Sequence, residues 1–191
     1  MQLDHLTIKA QEALQDAQAH AQNKDHQRLE PEHLFVALLD QADGLVGQLL
    51  EKVGLAPTRV RAPLGDTLTK FLSVSGGSLL YLSARRNRLL LQADEKSKRL
   101  TDEYISTEHV LIAGFNDEEL GALFKQLGFK RESIEAALKS LRGAHRVTDA
   151  NPEEKYRSLE RFARDLTDLA RKGKLDPIIG RDRCDVRFKN T

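Results

Sequence analysis

Cysteine is almost missing from this chain, with Cys184 the single example in 191 residues. One thiol closes no internal disulfide and fits a reducing compartment, so the cytoplasm is the expected setting. Excess charge is missing too. Formal net charge is +1 with 31% of residues charged and both signs interleaved, so the long-range field that draws a protein to nucleic acid or to an anionic membrane is absent. No stretch approaches the roughly 18 uncharged apolar residues of a membrane span, and the amphipathic N-terminus "MQLDHLTIKAQEALQDAQ" has no apolar signal core. Neither insertion nor export by a signal of its own is expected. A phosphate-binding loop, G-x-x-x-x-G-K-[ST], is also missing. The one Gly-Lys pair, Gly173-Lys174, is followed by Leu175 and has Asp168 where the leading glycine belongs. The chain is therefore expected not to hydrolyse ATP.

What is present is a duplication. The stretch from Leu6 to Leu64 returns, shifted by 76 and later by 74 positions, as Leu82 to Leu138. Ala13, Leu14 and Ala17 are answered by Leu89, Leu90 and Ala93, and "LEPEHLFVA" (Leu29 to Ala37) by "ISTEHVLIA" (Ile105 to Ala113). Both Glu-His pairs, Glu32-His33 and Glu108-His109, thus fall at the same step of each copy. Later, Val53, Gly54 and Leu55 match Leu127, Gly128 and Phe129. Two copies of this length are too few and too long for an open solenoid, whose units run roughly 20 to 45 residues. The expected architecture is all-α: one compact, pseudo-twofold domain over 1–145, with the first repeat at about 1–72 and the second at about 79–145.

Local signals give each repeat about four helices. Leu6, Ala10, Ala13, Leu14, Ala17 and Ala21 step by three and four, one apolar stripe along a first helix. Pro31 suits a first helical turn, with Glu32 adding negative charge at the positive end of the dipole, and Ser106 serves as N-cap in the second copy. Gly54 and Gly128 each close a helix, and Pro57 opens the next. "SVSGGS" (Ser73 to Ser78) reads as a bridge between the halves. Residues 146–157 read as a linker. Beyond it Leu159, Phe162, Ala163, Leu166, Leu169 and Ala170 lie on one face of a last helix whose partner is missing from the chain.

Two Glu-His-centred helical repeats beginning "LDHLTIKAQEAL" resemble the N-terminal domain of the Clp family of ATP-driven unfoldases. "NPEEKYRSLERFARDLTDLARKGKLDPIIGRD" (Asn151 to Asp182) resembles the junction between that domain and the family's first AAA+ ATPase module, most closely in the disaggregase branch. On this resemblance residues 158–191 are a truncated start of an ATPase domain. It implies a hexameric chaperone that uses ATP and magnesium to thread aggregated protein through a pore, together with the DnaK chaperone system. The present chain would itself be a monomer without cofactor. The N-terminal domain would capture unfolded or aggregated proteins, and the substrate-binding positions carried over are Thr7, Asp102 and Glu108. Ile178, Ile179 and Gly180 match a strip that lies against adenine in the family, here half of an incomplete site. Two positions depart: Gln92 and Lys96 stand where related domains carry apolar residues, which implies a weaker apolar groove. A free-standing adaptor or regulator, and the N-domain of a protease-associated unfoldase, are the alternative readings.

Plainer readings accompany these. Thr7 near a helix start is commonly a cap, and Asp102 and Glu108 are accounted for by the helix dipole better than by paired-carboxylate catalysis. His33 and His109 lack the i, i+4 histidine spacing of a zinc helix and read as packing residues, so no metal is expected. Cys184 reads as an inert tail thiol.

Overall fold

In a computed structural model of the chain, residues 3–74, 79–142 and 146–152 are described. The segment 153–191 lies outside them, and with it the last helix, the strip Ile178, Ile179 and Gly180, and Cys184. After a single 3₁₀ turn at Leu3–His5 come α1 (Ile8–Asn23), β1 (Arg28–Leu29), α2 (Pro31–Asp40), α3 (Leu45–Lys52) and α4 (Pro57–Leu68). The second half has β2 (Tyr81–Leu82), α5 (Ala84–Arg99), α6 (Thr107–Gly114), α7 (Glu118–Gln126) and α8 (Arg131–Arg142). Helices α1 to α4 and α5 to α8 are the two repeats in the same order, as the duplication predicts.

The helix boundaries follow from local chemistry. Thr7 and Ser83, equivalent under the shift of 76, are the N-caps of α1 and α5, each accepting a bond from the N–H three residues on. Pro31 and Pro57 open α2 and α4, where a missing N–H costs nothing. Gly54 and Gly128, at φ +80° and +73°, close α3 and α7, and the next residue's N–H reaches back to Leu50 and Phe124 respectively, the αL closure that a side chain would strain. One detail differs from the periodicity: Leu6 precedes α1 rather than belonging to it, because Thr7 caps the helix.

Leu6 instead forms a parallel bridge with Ile105, while Leu29 of β1 pairs in parallel with Leu82 of β2. Leu6 and Leu82 are repeat equivalents, as are Leu29 and Ile105, so these two contacts are one contact seen twice. Each repeat lends the residue before its first helix to the segment before the other repeat's Glu-His helix. Thr7 N–H donates to Ile105 C=O at 3.0 Å and Ser83 N–H to Leu29 C=O at 3.3 Å.

Helices α2 and α6 are apolar nearly all round and buried along most of their length, the pattern of central helices. The amphipathic α1 and α5 pack beside them through Ala13, Leu14 and Ala17 and through Leu89, Leu90 and Ala93. At the junction of the repeats Phe35 of α2 meets Phe124 of α7 at 5.5 Å between centroids, and Phe124 in turn meets Phe115 and Phe129. Gly114 at the end of α6 faces this cluster, and a Cβ there would lie 2.3 Å from Cζ of Phe35. Phe35 is fully buried and packed against Phe124. Gly114→Ala is therefore expected to lower stability by roughly 1–3 kcal/mol through overpacking, read as a lower urea midpoint; an unchanged midpoint would show that the junction is looser than described.

Candidate functional site

The Glu-His step of each repeat is a helix start in which histidine takes the place of the usual Glu or Gln of a capping box. In repeat 1, Glu30 is the N-cap of α2 and its N–H donates to Nδ1 of His33 at 3.1 Å. In repeat 2, the N–H of Ser106 donates to Nδ1 of His109 at 3.0 Å. Accepting at Nδ1 leaves the proton on Nε2 in each ring, an assignment that follows from the bonding pattern. Nε2–H of His33 then meets Nδ1 of His26 at 2.8 Å, and Nε2–H of His109 meets Oδ2 of Asp102 at 3.0 Å. His26 and Asp102 are repeat equivalents. Each follows a residue at positive φ, Asp25 at 54° and Thr101 at 58°. Both histidines are fully buried and serve as internal braces, and no group of three or more metal-ligating side chains occurs among the described residues.

The two nodes differ electrically. In repeat 1, Phe71 packs against both imidazoles, edge-on to His26 and tilted to His33. Burial, followed by the facing His26, lowers the pKa of His33 to about 4. In repeat 2, burial works to raise the pKa of Asp102, but hydrogen bonds from His109, Arg142 and the Val147 N–H outweigh it and hold the carboxyl below its ordinary range. Arg142 reaches Oδ1 of Asp102 and stands 4.0 Å from Oε1 of Glu108.

The residues expected to bind substrate are brought to one corner, where the start of α1 meets the segment that opens α6. Thr7 caps α1 and its N–H holds Ile105, just before α6. Glu108 lies in the first turn of α6, and Asp102 is tied to the same helix through His109. They are not a solvated face. Thr7 and Glu108 are 0% exposed and Asp102 is 8% exposed. Neither carboxylate oxygen of Glu108 accepts a hydrogen bond, and the guanidinium of Arg142 stands 4.0 Å from Oε1. Ile8, next to Thr7, remains 44% exposed.

The pseudo-equivalent corner is built around Arg85 of α5. Its guanidinium bonds Glu32 at 2.8 Å and Asp117 at 2.6 Å, and lies 3.2 Å from Glu119. Burial nonetheless outweighs Arg85 and raises the pKa of Glu32. A cavity of about 410 Å³ opens here between His26, Arg28, Glu30, Phe71 and Arg85. At the departing positions, Lys96 bonds Glu135 of α8 at 2.9 Å, and Arg131 joins the same carboxylate at 3.2 Å. An ion-pair network thus spans α5 and α8 where related domains are expected to be apolar.

Arg142, Val147 and Arg85 carry the electrostatics of these corners, and sequence reasoning did not find them. The shift of 76 pairs position 26 with 102, a signal that could have found the partners of the two histidines; nothing comparable marks Arg142 or Val147.

The comparisons with known proteins agree with this geometry. The model of the Clp repeat (R) N-terminal domain matches residues 5–127. The chain is 41% identical over 184 residues to the chaperone protein ClpB of Vibrio vulnificus, covering 95% of this chain and 22% of that protein. It thus spans about a fifth of the length of the curated relatives it matches. Among solved structures, the Hsp104 N-terminal domain from Candida albicans superposes with a TM-score of 0.70 at 19% identity, covering 78% of this chain and 98% of that one. A ClpV N-domain in complex with VipB peptide superposes at 0.54 with 17% identity, covering 71% and 86%. These two likenesses concern the fold.

Below pH 6.5 an unfolded His33 binds a proton that the folded one refuses until about pH 4, so the unfolded state holds more protons in that window and stability must fall as pH falls through it. The loss is expected to be roughly 3 kcal/mol between pH 7 and 4. His33→Gln, whose amide oxygen can accept the Glu30 N–H, is expected to flatten the urea midpoint over that range; a wild-type slope in the variant would remove His33 as the cause.

Proposed function

Because this chain belongs to the Clp repeat N-terminal domain family, we propose that it captures unfolded or aggregated polypeptide for a ClpB-type disaggregase. The corner of Thr7, Asp102 and Glu108 is the capture face. The observation that carries this reading is the behaviour of main-chain donors at that corner. The N–H groups of Ile8 and Glu103 each hold a carbonyl of a non-helical stretch of backbone, that of Ala150 and of Val147. A surface that binds open backbone through main-chain bonds suits clients that share no sequence but all expose carbonyls. Charge agrees with it, since a nearly neutral domain does not gather polyanions. The complex of a ClpV N-domain with VipB peptide lends support from a protein of the same fold.

On this reading the chain needs no cofactor of its own. ATP, magnesium, the hexamer and cooperation with the DnaK system belong to the longer ClpB-type protein, and the cytoplasm is where it works. The polar network of Lys96, Glu135 and Arg131 makes the α5–α8 side a poor apolar seat and shifts the weight of capture to the α1–α6 corner.

Titrating the chain with reduced, carboxymethylated α-lactalbumin and with its native form is the test. Binding should favour the unfolded form by about tenfold or more, equivalent to ~1.4 kcal/mol, and no phosphate should be released from magnesium-ATP. Equal or absent binding to both forms would overturn the capture role, and steady ATP turnover would overturn the assignment of hydrolysis to a separate module.

A further inference from the structure

The capture face is covered by the chain itself. Residues 146–151 lie against the α1–α6 corner without helical structure. The Val147 N–H donates to Oδ1 of Asp102 at 2.9 Å, and its C=O accepts from the Glu103 N–H at 2.9 Å. Three residues later the C=O of Ala150 accepts from the Ile8 N–H at 2.8 Å, and the Asn151 N–H bonds Oδ1 of Asp149 at 2.9 Å in a local turn. The Val147 side chain is fully buried. One apolar residue and three main-chain bonds thus seal a corner whose polar groups have almost no exposed surface. A group with no exposed surface cannot touch a client, and the other partners of Asp102 among the described residues, Ser97, His109 and Arg142, belong to the helices α5, α6 and α8.

We propose that residues 146–150 are a displaceable strap over the capture face, and that an incoming unfolded segment takes its place on the Ile8 and Glu103 N–H groups. This deepens the function proposed above and rests on it. The partner class follows from what the strap supplies: an open polypeptide backbone with carbonyls three residues apart, and a small or β-branched apolar side chain for the seat of Val147. Helical or native segments are excluded, since their carbonyls are already bonded. The strap therefore acts as an internal competitor. Client affinity is set by the fraction of molecules in which it is open, and the same exchange explains how residues as buried as Thr7 and Glu108 can contribute to capture.

The experiment follows amide hydrogen exchange of the whole chain with and without reduced, carboxymethylated α-lactalbumin, and compares client affinity of wild type with Val147→Ala and Val147→Ser. Displacement predicts that the Val147 N–H exchanges faster in the client complex while the Ile8 and Glu103 N–H groups stay protected, now by the client. Loosening the strap should tighten binding, by about fivefold for Val147→Ser and less for Val147→Ala. If the client binds but Val147 stays as protected as in the free chain, or if both variants bind no better than wild type, the strap is wrong while capture stands. If neither wild type nor variants bind, the capture reading falls and the strap falls with it.

Discussion

Neither half of this domain is closed by its own residues. Leu6 of the first repeat is bonded to Ile105 of the second, and Leu82 of the second to Leu29 of the first, each next to the N-terminus of a buried central helix. Two residues of parallel pairing are too little to hold a sheet. They hold here because each is anchored on both sides: by an N-cap at Thr7 or Ser83 and by a capped helix start at Ser106 or Glu30. The histidine braces complete the arrangement. His33 and His109 satisfy the N-cap backbone with one nitrogen and tie down position 26 or 102 with the other.

That exchange also creates the corners, one of which is the proposed capture face. Crossing the start of α1 onto the start of α6 brings together Thr7, Glu108 and Asp102, which lie about a hundred residues apart at the extremes. The two corners then diverge by side chain. His26 faces His33 in one, a neutral pair sensitive to acid, while Asp102 faces His109 in the other and draws in Arg142 and the Val147 N–H. The second corner is the one that the chain's own backbone covers. A duplicated scaffold with one copy turned toward polar main-chain recognition fits a capture domain of the Clp family.

Much of this was legible beforehand. The duplication, four helices per copy, the proline starts at Pro31 and Pro57 and the left-handed closures at Gly54 and Gly128 follow from periodicity and from backbone chemistry that few residues can meet. The crossed pairing was not, because two-residue strands carry no alternation and their partners lie 53 and 99 positions away in sequence. Nor was the burial of Thr7, Asp102 and Glu108, polar residues at or near helix starts whose types carry no mark of burial. Val147 escaped because it is held by main-chain bonds, which leave no mark on residue type. It sits in the stretch taken for a linker.

The central claim, that the two repeats close each other through one symmetric exchange, is tested most directly by native-state amide exchange at Thr7 and Ser83. Their N–H groups bond Ile105 and Leu29 across the repeats. Opening of either pair should require unfolding of the domain as a whole, so both amides should report one opening free energy, equal to that of global unfolding and shifted equally by urea. If one pair exchanged through a smaller opening while the other half stayed protected, the repeats would be independent units and the account would be wrong.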